Sequence, residues 1–355
     1  MIAGWLNLAS VGREKTLVIA EIGVNHDGSP SRAMELVDHA HAAGADAVKL
    51  QIFSARALMH ASGGFADYQR SRVEDADPAA MLGRYELPPA QIVRIVEAIR
   101  ARGMLPIATP FSPSDVQTVA GLDLPVIKIA SPDLVNLPLL ERAAALRRPL
   151  LVSTGAATLD EVATSVQWLT DLHCRFALMH CVSSYPTPAG DAHLRWIGEL
   201  ASEFGVPVGF SDHTEDELSG ALAVAAGASI IEKHLTYDRG AGGPDHAASA
   251  DPAQFARYVR QIRRAEVMCG TGGKRVLRVE EDVRRASRQS LVLTRPVAAD
   301  HPLTEADLTV QRPGTGIPAS MFRQILGRRI LRSLPAGTML QWEMLLPLEQ
   351  ARQAV

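Results

Sequence analysis

Three cysteines, at positions 174, 181 and 269 of 355 residues, are too few and too far apart for a disulfide framework or a paired-Cys zinc site. A reducing compartment is expected. Charge of one sign is also missing: 36 basic and 39 acidic residues, mixed along the chain, give a formal net charge of -3. No basic stripe is left for nucleic acid or an anionic membrane, and both partners are disfavoured. No apolar run approaches the roughly 18 residues that span a bilayer. Met1-Ile2-Ala3-Gly4-Trp5 lacks the charged start of a secretory signal, so a soluble, unprocessed, cytoplasmic chain is expected. A Gly-rich dinucleotide turn is absent as well, since Gly23-Val24-Asn25-His26-Asp27-Gly28 does not match that pattern.

What is present is a regular alternation. Apolar, β-rich runs occupy 17–24, 46–52, 104–109, 125–129, 149–153, 176–181, 207–211 and 229–234. Segments with helical apolar spacing begin near Ser31, Pro89, Ser114, Leu137, Leu159, Ala192, Glu215 and Pro252. Continuous apolar strands separated by amphipathic helices predict a parallel sheet covered by helices, and eight such units close a (β/α)8 TIM barrel. An open doubly wound sheet is the rival, with fewer units and the missing Gly-rich turn. The long connection from Phe53 to Pro88, with Gly63-Gly64 and a polar stretch near 70–77, reads either as a functional lid or as a surface insertion. Beyond Gly270-Thr271-Gly272-Gly273 the pattern changes to short strands and tight turns. We therefore expect a barrel over 1–275, a linker over 276–289 and a small α/β module over 290–355.

In such a barrel the active site lies at the C-terminal ends of the strands. Polar residues stand at all eight: Glu21 with Asn25-His26, Lys49 and Gln51, Thr109, Lys128 and Ser131, Ser153-Thr154, His180 and Ser183, Ser211-Asp212-His213, and Glu232-Lys233-His234. One such residue can simply cap the next helix; eight ends together are hard to explain that way. Lys49 and Lys128 lie in apolar strands, where an unpaired ammonium is costly unless an anion meets it. With Thr109, Ser131, Ser153 and Ser211 they resemble a cradle for phosphate and carboxylate. The alternatives are an internal ion pair with Glu21 or Glu232, or a Schiff-base lysine. His213 and His234 close neighbouring strands and can converge on one divalent ion, unless each is only a structural histidine.

At this point the words themselves resemble a family. Ala20-Glu21-Ile22-Gly23-Val24-Asn25-His26, Val48-Lys49-Leu50-Gln51, Thr109-Pro110-Phe111-Ser112, Lys128-Ile129-Ala130-Ser131 and His180-Cys181-Val182-Ser183-Ser184-Tyr185-Pro186 look like the sialic acid synthase family in order and spacing. Ser211-Asp212-His213-Thr214, Ile231-Glu232-Lys233-His234 and Gly243-Pro244-Asp245-His246 continue the match. Arg312-Pro313-Gly314-Thr315-Gly316 looks like the antifreeze-protein-like (SAF, β-clip type) domain of these enzymes, so the match spans nearly the whole chain.

The resemblance implies condensation of phosphoenolpyruvate with an N-acyl hexosamine, such as N-acetylmannosamine or a deoxy-diacetamido sugar, to a nonulosonic acid plus phosphate. Lys49, Thr109, Lys128, Ser131, Ser153, Ser183 and Ser211 match the phosphoenolpyruvate-binding positions. Glu21, Gln51, Asp133, Tyr185 and Asp245 match positions around the sugar. His213 and His234 match ligands of a divalent metal, manganese before magnesium or cobalt, which would polarise the aldehyde as a Lewis acid. Arg312 matches an arginine sent over the site by a partner subunit, which implies a domain-swapped homodimer. Glu21, and behind it Asp133, are the acid/base candidates. Departures exist: Ser131-Pro132-Asp133 stands where many members have Ser-Gly-Glu, and the neuraminate-type enzymes often have Asn at the position of Ser183 and His at that of Leu50. The rivals are a phosphoenolpyruvate-dependent synthase of the 3-deoxy-octulosonate or heptulosonate type, which needs a second, Arg-rich phosphate site, and a non-catalytic sugar-binding barrel.

Overall fold

The computed structural model describes residues 15–60 and 77–347. The chain divides after Thr271 into two units, each with its own core.

In the first unit eight parallel strands close a barrel in sequential order. They are β1 (Leu17–Glu21), β2 (Ala47–Ile52), β3 (Leu105–Pro110), β4 (Val126–Ile129), β5 (Leu150–Ser153), β6 (Phe176–Cys181), β7 (Val208–Asp212) and β8 (Ile230–His234). Each is followed by a covering helix: α1 (Pro30–Ala43), α2 (Pro89–Ala101), α3 (Pro113–Ala120), α4 (Leu137–Ala145), α5 (Leu159–Asp171), α6 (Trp196–Phe204), α7 (Ser219–Ala225) and α8 (Pro252–Cys269). The strands are buried on both faces, which is why they read as continuous apolar runs. Leu17, Ile19, Leu105, Ile107, Leu151, Met179 and Ile230 belong to one buried cluster, distinct from the larger cluster formed where the helices pack on the sheet. Full burial of each such side chain stabilises by about 1.5 to 3 kcal/mol.

Local signals set the helix ends. In α1 the Ser29 hydroxyl accepts from Arg32 N, Pro30 opens the helix and Gly44 closes it in the left-handed conformation. Ala33, Leu36, Val37 and Ala40 form its buried face. In α8 the Asp251 carboxylate and Gln254 form a capping box, and Phe255, Tyr258, Val259 and Ile262 face inward.

Three boundaries differ from the sequence reading. Strand β1 stops at Glu21 rather than at residue 24, because the chain turns sharply where Val24 and Asp27 take positive φ. Helices α6 and α7 begin about four residues late, at Trp196 and Ser219. The stretch before α7 is held as a loop: Asp216 accepts from Leu218 N, and the Ser219 hydroxyl is drawn to Asp212. In the long β2–α2 connection, short helices at Ala55–Leu58 and Pro78–Gly83 are described, and Met81 and Tyr85 pack on Val24. Gly63-Gly64 and most of the polar stretch lie outside the described residues.

In the second unit a helix at Glu281–Ser287 precedes an antiparallel pair, β9 (Ser290–Leu293) and β10 (Leu308–Gln311). Its small core is built from Leu291, Leu293, Val297, Leu303, Ile317, Ile330 and Leu340 among others. The division falls four residues before the expected border at 275, and the expected linker belongs to this unit.

Candidate active site

Parallel pairing fixes which strand ends meet. Glu21 lies in register with Lys49 on one side and His234 on the other, and Ser211 lies beside Glu232. Alternation along the strands sends Glu232 and His234 to one face and Lys233 to the other.

The geometry resolves the two lysines differently. Lys49 Nζ lies 2.7 Å from Glu21 Oε2 and 3.2 Å from Glu232 Oε1, all three side chains being buried. The internal pairing weighed in the sequence is therefore the structure of Lys49. Lys128 Nζ instead donates to Ser153 Oγ at 2.5 Å and to the Ile129 carbonyl at 3.0 Å. Among the described residues no carboxylate lies within ion-pair distance of it, although it is 2% exposed. Burial lowers Lys49 to about 8, with Glu232 opposing and Lys128 adding to the drop. Burial would raise Glu232, yet Lys128 and Lys49 outweigh it and hold the carboxyl at about 2.

Two residues beyond Ser153, Gly155 stands among hydroxyls. Gly155 N donates to Ser131 Oγ at 3.0 Å. A methyl group on Gly155 would overlap Ser183 Oγ and lie 2.8 Å from Ser131 Oγ and 2.9 Å from Cys181 Sγ. Only glycine leaves that room. On the opposite side of the mouth Gly23 plays the same part, because a methyl there would overlap Gln51 and Glu21, and Gly23 N donates to Glu21 Oε1.

His213 and His234 face each other with ring centroids 5.5 Å apart, and the Tyr185 ring lies 4.1 Å from His213. The two rings stand close enough that both imidazoles could serve one ion. His213 Nδ1 lies 2.9 Å from the Val182 carbonyl, which can only accept, so Nδ1 carries the proton and Nε2 keeps its lone pair. His234 Nδ1 is buried without a hydrogen-bond partner and lies 3.7 Å from Asp245 Oδ2. Burial, with His213 and Lys49 nearby, holds His234 well below the usual imidazole range, so it is neutral. His234, already neutral, and His213, whose ring sheds any second proton on binding, could together hold a divalent metal with open positions. Among the described residues no third His, Cys, Asp or Glu joins them to make a closed cage. Cys181 Sγ lies 3.8 Å from His213 Nδ1. Burial opposes ionisation of both groups, but their mutual attraction holds the thiol below and the imidazole above their ordinary values.

The mouth is short of partners. Glu21 Oε2, Thr109 Oγ1, Glu232 Oε2 and His234 Nδ1 are four of the six buried side-chain N or O atoms that lack a hydrogen bond among the described residues; Lys49 approaches Glu21 Oε2 without hydrogen-bond geometry. Buried polar atoms are nearly always satisfied, so four orphans at one end of a barrel mark a place where a polar ligand belongs.

The other expected residues fall as follows. Gln51 pairs laterally with Thr109, and Ser211 Oγ donates to Glu232 Oε1 at 2.9 Å. Asp133 sits in a turn of 3-10 helix just after β4, where Asn136 Nδ2 donates to it at 2.9 Å; burial pushes its carboxyl up. Asn136 is also the residue that caps α4. Arg312 is exposed in the second unit. One participant was not singled out from sequence: Gly155, whose role shows only in the crowding around it. Glu232 was named there as a strand-end residue and a possible partner of a lysine, and it is a partner of Lys49.

Comparison with known proteins now decides the family. Residues 36–274 match the NeuB family, and residues 288–346 match the SAF domain. The chain belongs to the NeuB family. It is 37% identical to the N,N'-diacetyllegionaminic acid synthase of Legionella pneumophila over 92% of this chain and 93% of that one. The Campylobacter jejuni protein of the same name is 33% identical over 89% and 96%. Among solved structures, the spore coat polysaccharide biosynthesis protein E of Chromobacterium violaceum superposes with a TM-score of 0.82 at 29% identity, covering 94% of this chain and 100% of that one. A 3-deoxy-D-arabino-heptulosonate 7-phosphate synthase from Thermotoga maritima, at 16% identity and a TM-score of 0.54, shares the barrel fold alone.

Proposed function

We propose that this NeuB-family barrel condenses phosphoenolpyruvate with an N-acyl amino sugar and water, releasing phosphate and a nonulosonic acid. The bond formed joins C3 of phosphoenolpyruvate to the aldehyde carbon; water oxygen adds at C2, and the C2–O bond to phosphate breaks. The observation that carries this reading is the buried mouth where Lys128, without a carboxylate partner among the described residues, stands beside Ser153, Ser131 and Gly155 N. A dianionic phosphate there meets a cation and neutral donors in a low-dielectric site, where such contacts count most. Thr109 Oγ1 and Ser211 Oγ supply further hydroxyls along the rim.

His213 and His234 would hold a divalent metal, manganese in preference to magnesium or cobalt, which supplies Lewis-acid polarisation of the aldehyde. Glu21 is the acid/base group: Oε1 is tied to Gly23 N, while Oε2, ion-paired with Lys49, is the oxygen that would take the proton the attacking water loses. The Lys49 cation keeps Glu21 and Glu232 from repelling one another in the same low-dielectric space. Gln51, Tyr185 and Asp245 line the sugar side, with Asp133 behind Glu21 as a second acid/base candidate. Arg312 reaches the sugar from a partner subunit of a domain-swapped homodimer, and the enzyme works in the cytoplasm.

The product names of the Legionella and Campylobacter relatives support one acceptor class. Phosphoenolpyruvate brings no nitrogen, so both acetyl-amino groups of a diacetylated product come from the sugar; a diacetamido hexose is therefore our first acceptor. The test is phosphate release from phosphoenolpyruvate with manganese across a panel of mono- and diacetamido hexoses. Release with a diacetamido sugar and little with N-acetylmannosamine supports the assignment. No release with any N-acyl hexosamine would sink the reaction class.

A further inference from the structure

Directly behind the histidine pair, on the outer face of β7 and β8, is a buried polar cluster that takes no part in the proposed chemistry. Asp212 and Lys233 each precede one of the two histidines by one residue. Lys233 Nζ donates to Asp212 Oδ2 at 3.0 Å and to the Thr214 carbonyl at 2.6 Å. A single ammonium from β8 therefore holds the residue before His213 and the residue after it. Asp212 is tied from three further directions: Thr214 N donates at 2.8 Å, Ser219 Oγ on α7 at 2.5 Å and Tyr258 OH on α8 at 2.7 Å. Lys233 Nζ also stands over the Tyr258 ring, 4.9 Å from its centroid. Gly220 makes room for that ring, since a methyl there would lie 2.5 Å from it.

We infer that Asp212 and Lys233 are positioning residues, a cross-strand clamp that fixes the spacing and orientation of His213 and His234 and thereby sets the affinity of the two-histidine metal site. Both side chains are almost fully buried. A buried ion pair is a poor stabiliser, because desolvation offsets most of its attraction and apolar residues of similar volume do as well or better. What the pair does supply is direction. The donors to Asp212 come from β8, α7, α8 and the turn after β7, and each strand-end histidine is covalently next to a clamped residue. Held ligands bind metal more tightly than ligands that must first be ordered. The idea rests on the metal reading above, so the experiment has to separate the two.

That experiment titrates Mn2+ into the full chain, following the free-ion signal by electron paramagnetic resonance, for wild type, Lys233→Met, Asp212→Asn, Tyr258→Phe and His213→Ala. Phosphoenolpyruvate affinity is measured in parallel without metal. The clamp predicts that Lys233→Met and Asp212→Asn weaken Mn2+ binding at least tenfold and that Tyr258→Phe weakens it about threefold, with phosphoenolpyruvate affinity within twofold of wild type. A merely structural role would lower thermal stability and leave the Mn2+ affinity of the folded protein unchanged; that result overturns the inference while His213→Ala still loses the metal. Should the two charge variants not fold, Tyr258→Phe decides alone, and wild-type Mn2+ affinity in it overturns the clamp. If His213→Ala binds Mn2+ as wild type does, the metal site itself is wrong and the clamp falls with it.

Discussion

The two faces of β7 and β8 are built from the same kinds of residue and end up in opposite conditions. Outward, Asp212 and Lys233 are a closed network in which every contact comes from the chain itself. Inward, among the described residues, Glu232 and His234 keep buried atoms with no hydrogen bond, and Lys128 across the barrel meets only a hydroxyl and a carbonyl. A satisfied network lowers the energy of the fold as it stands, whereas an unsatisfied one is tolerated because a ligand completes it. Substitutions should separate accordingly. Inner-face changes should abolish catalysis with little loss of stability, and outer-face changes should cost stability first.

The sharpest way to break that contrast is Lys128→Met. Removing the one charged partner of a buried phosphate should cost about 3 to 4 kcal/mol of phosphoenolpyruvate affinity, roughly three hundredfold, while the melting temperature stays level or rises. Calorimetric titration and a thermal melt on the same sample check it; unchanged affinity would remove the phosphate site from this end of the barrel.

Next in size, His213→Ala or His234→Ala should lower turnover at least about a hundredfold, roughly 2.7 kcal/mol or more of transition-state stabilisation, with the fold intact by circular dichroism. Full activity of both variants after chelator treatment would refute a role for the pair.

A third measurement uses pH. The folded pKa of Lys49 is lowered to about 8 from 10.5, so between those values the unfolded chain binds this proton more readily. The group's contribution to stability therefore rises with pH across that window, while the cation needed at the mouth is lost. We expect kcat/KM for phosphoenolpyruvate to fall about tenfold per unit above pH 8, as for loss of one essential proton from the free enzyme. A profile flat to pH 10 counts against a charged Lys49.

Smaller still, Arg312→Ala should raise KM for the sugar about tenfold and KM for phosphoenolpyruvate hardly at all, because a guanidinium fork holds an acyl carbonyl or hydroxyls better than water does. Equal shifts in both would place Arg312 elsewhere. The smallest expected effect is on the outer face: Tyr258→Phe removes one of the three donors to Asp212 Oδ2 and should cost about 1 kcal/mol in urea unfolding. A neutral result would show that the outer network is slack after all.

Much of this was legible in the chain before it was folded. Eight apolar runs spaced by amphipathic segments require a parallel sheet with both faces covered, and the closed eight-stranded barrel follows from that count. The polar residue at each strand end pointed to the candidate site for the same reason. Helix starts were less legible where a side chain found a stronger local partner, as Ser219 did in Asp212, since that bond comes from the neighbouring strand end and not from the helical pattern.

What only the tertiary structure decided is partnership. The sequence set out Lys49 and Lys128 as equals, because both are lysines in apolar strands. Lateral register placed Glu21 and Glu232 against Lys49 and left Lys128 facing Ser153, so two lysines alike in sequence have different partners. Period and composition fix which face a residue takes, a property of one strand. Which charges neutralise each other depends on neighbours far apart in sequence, and only barrel closure brings them within reach.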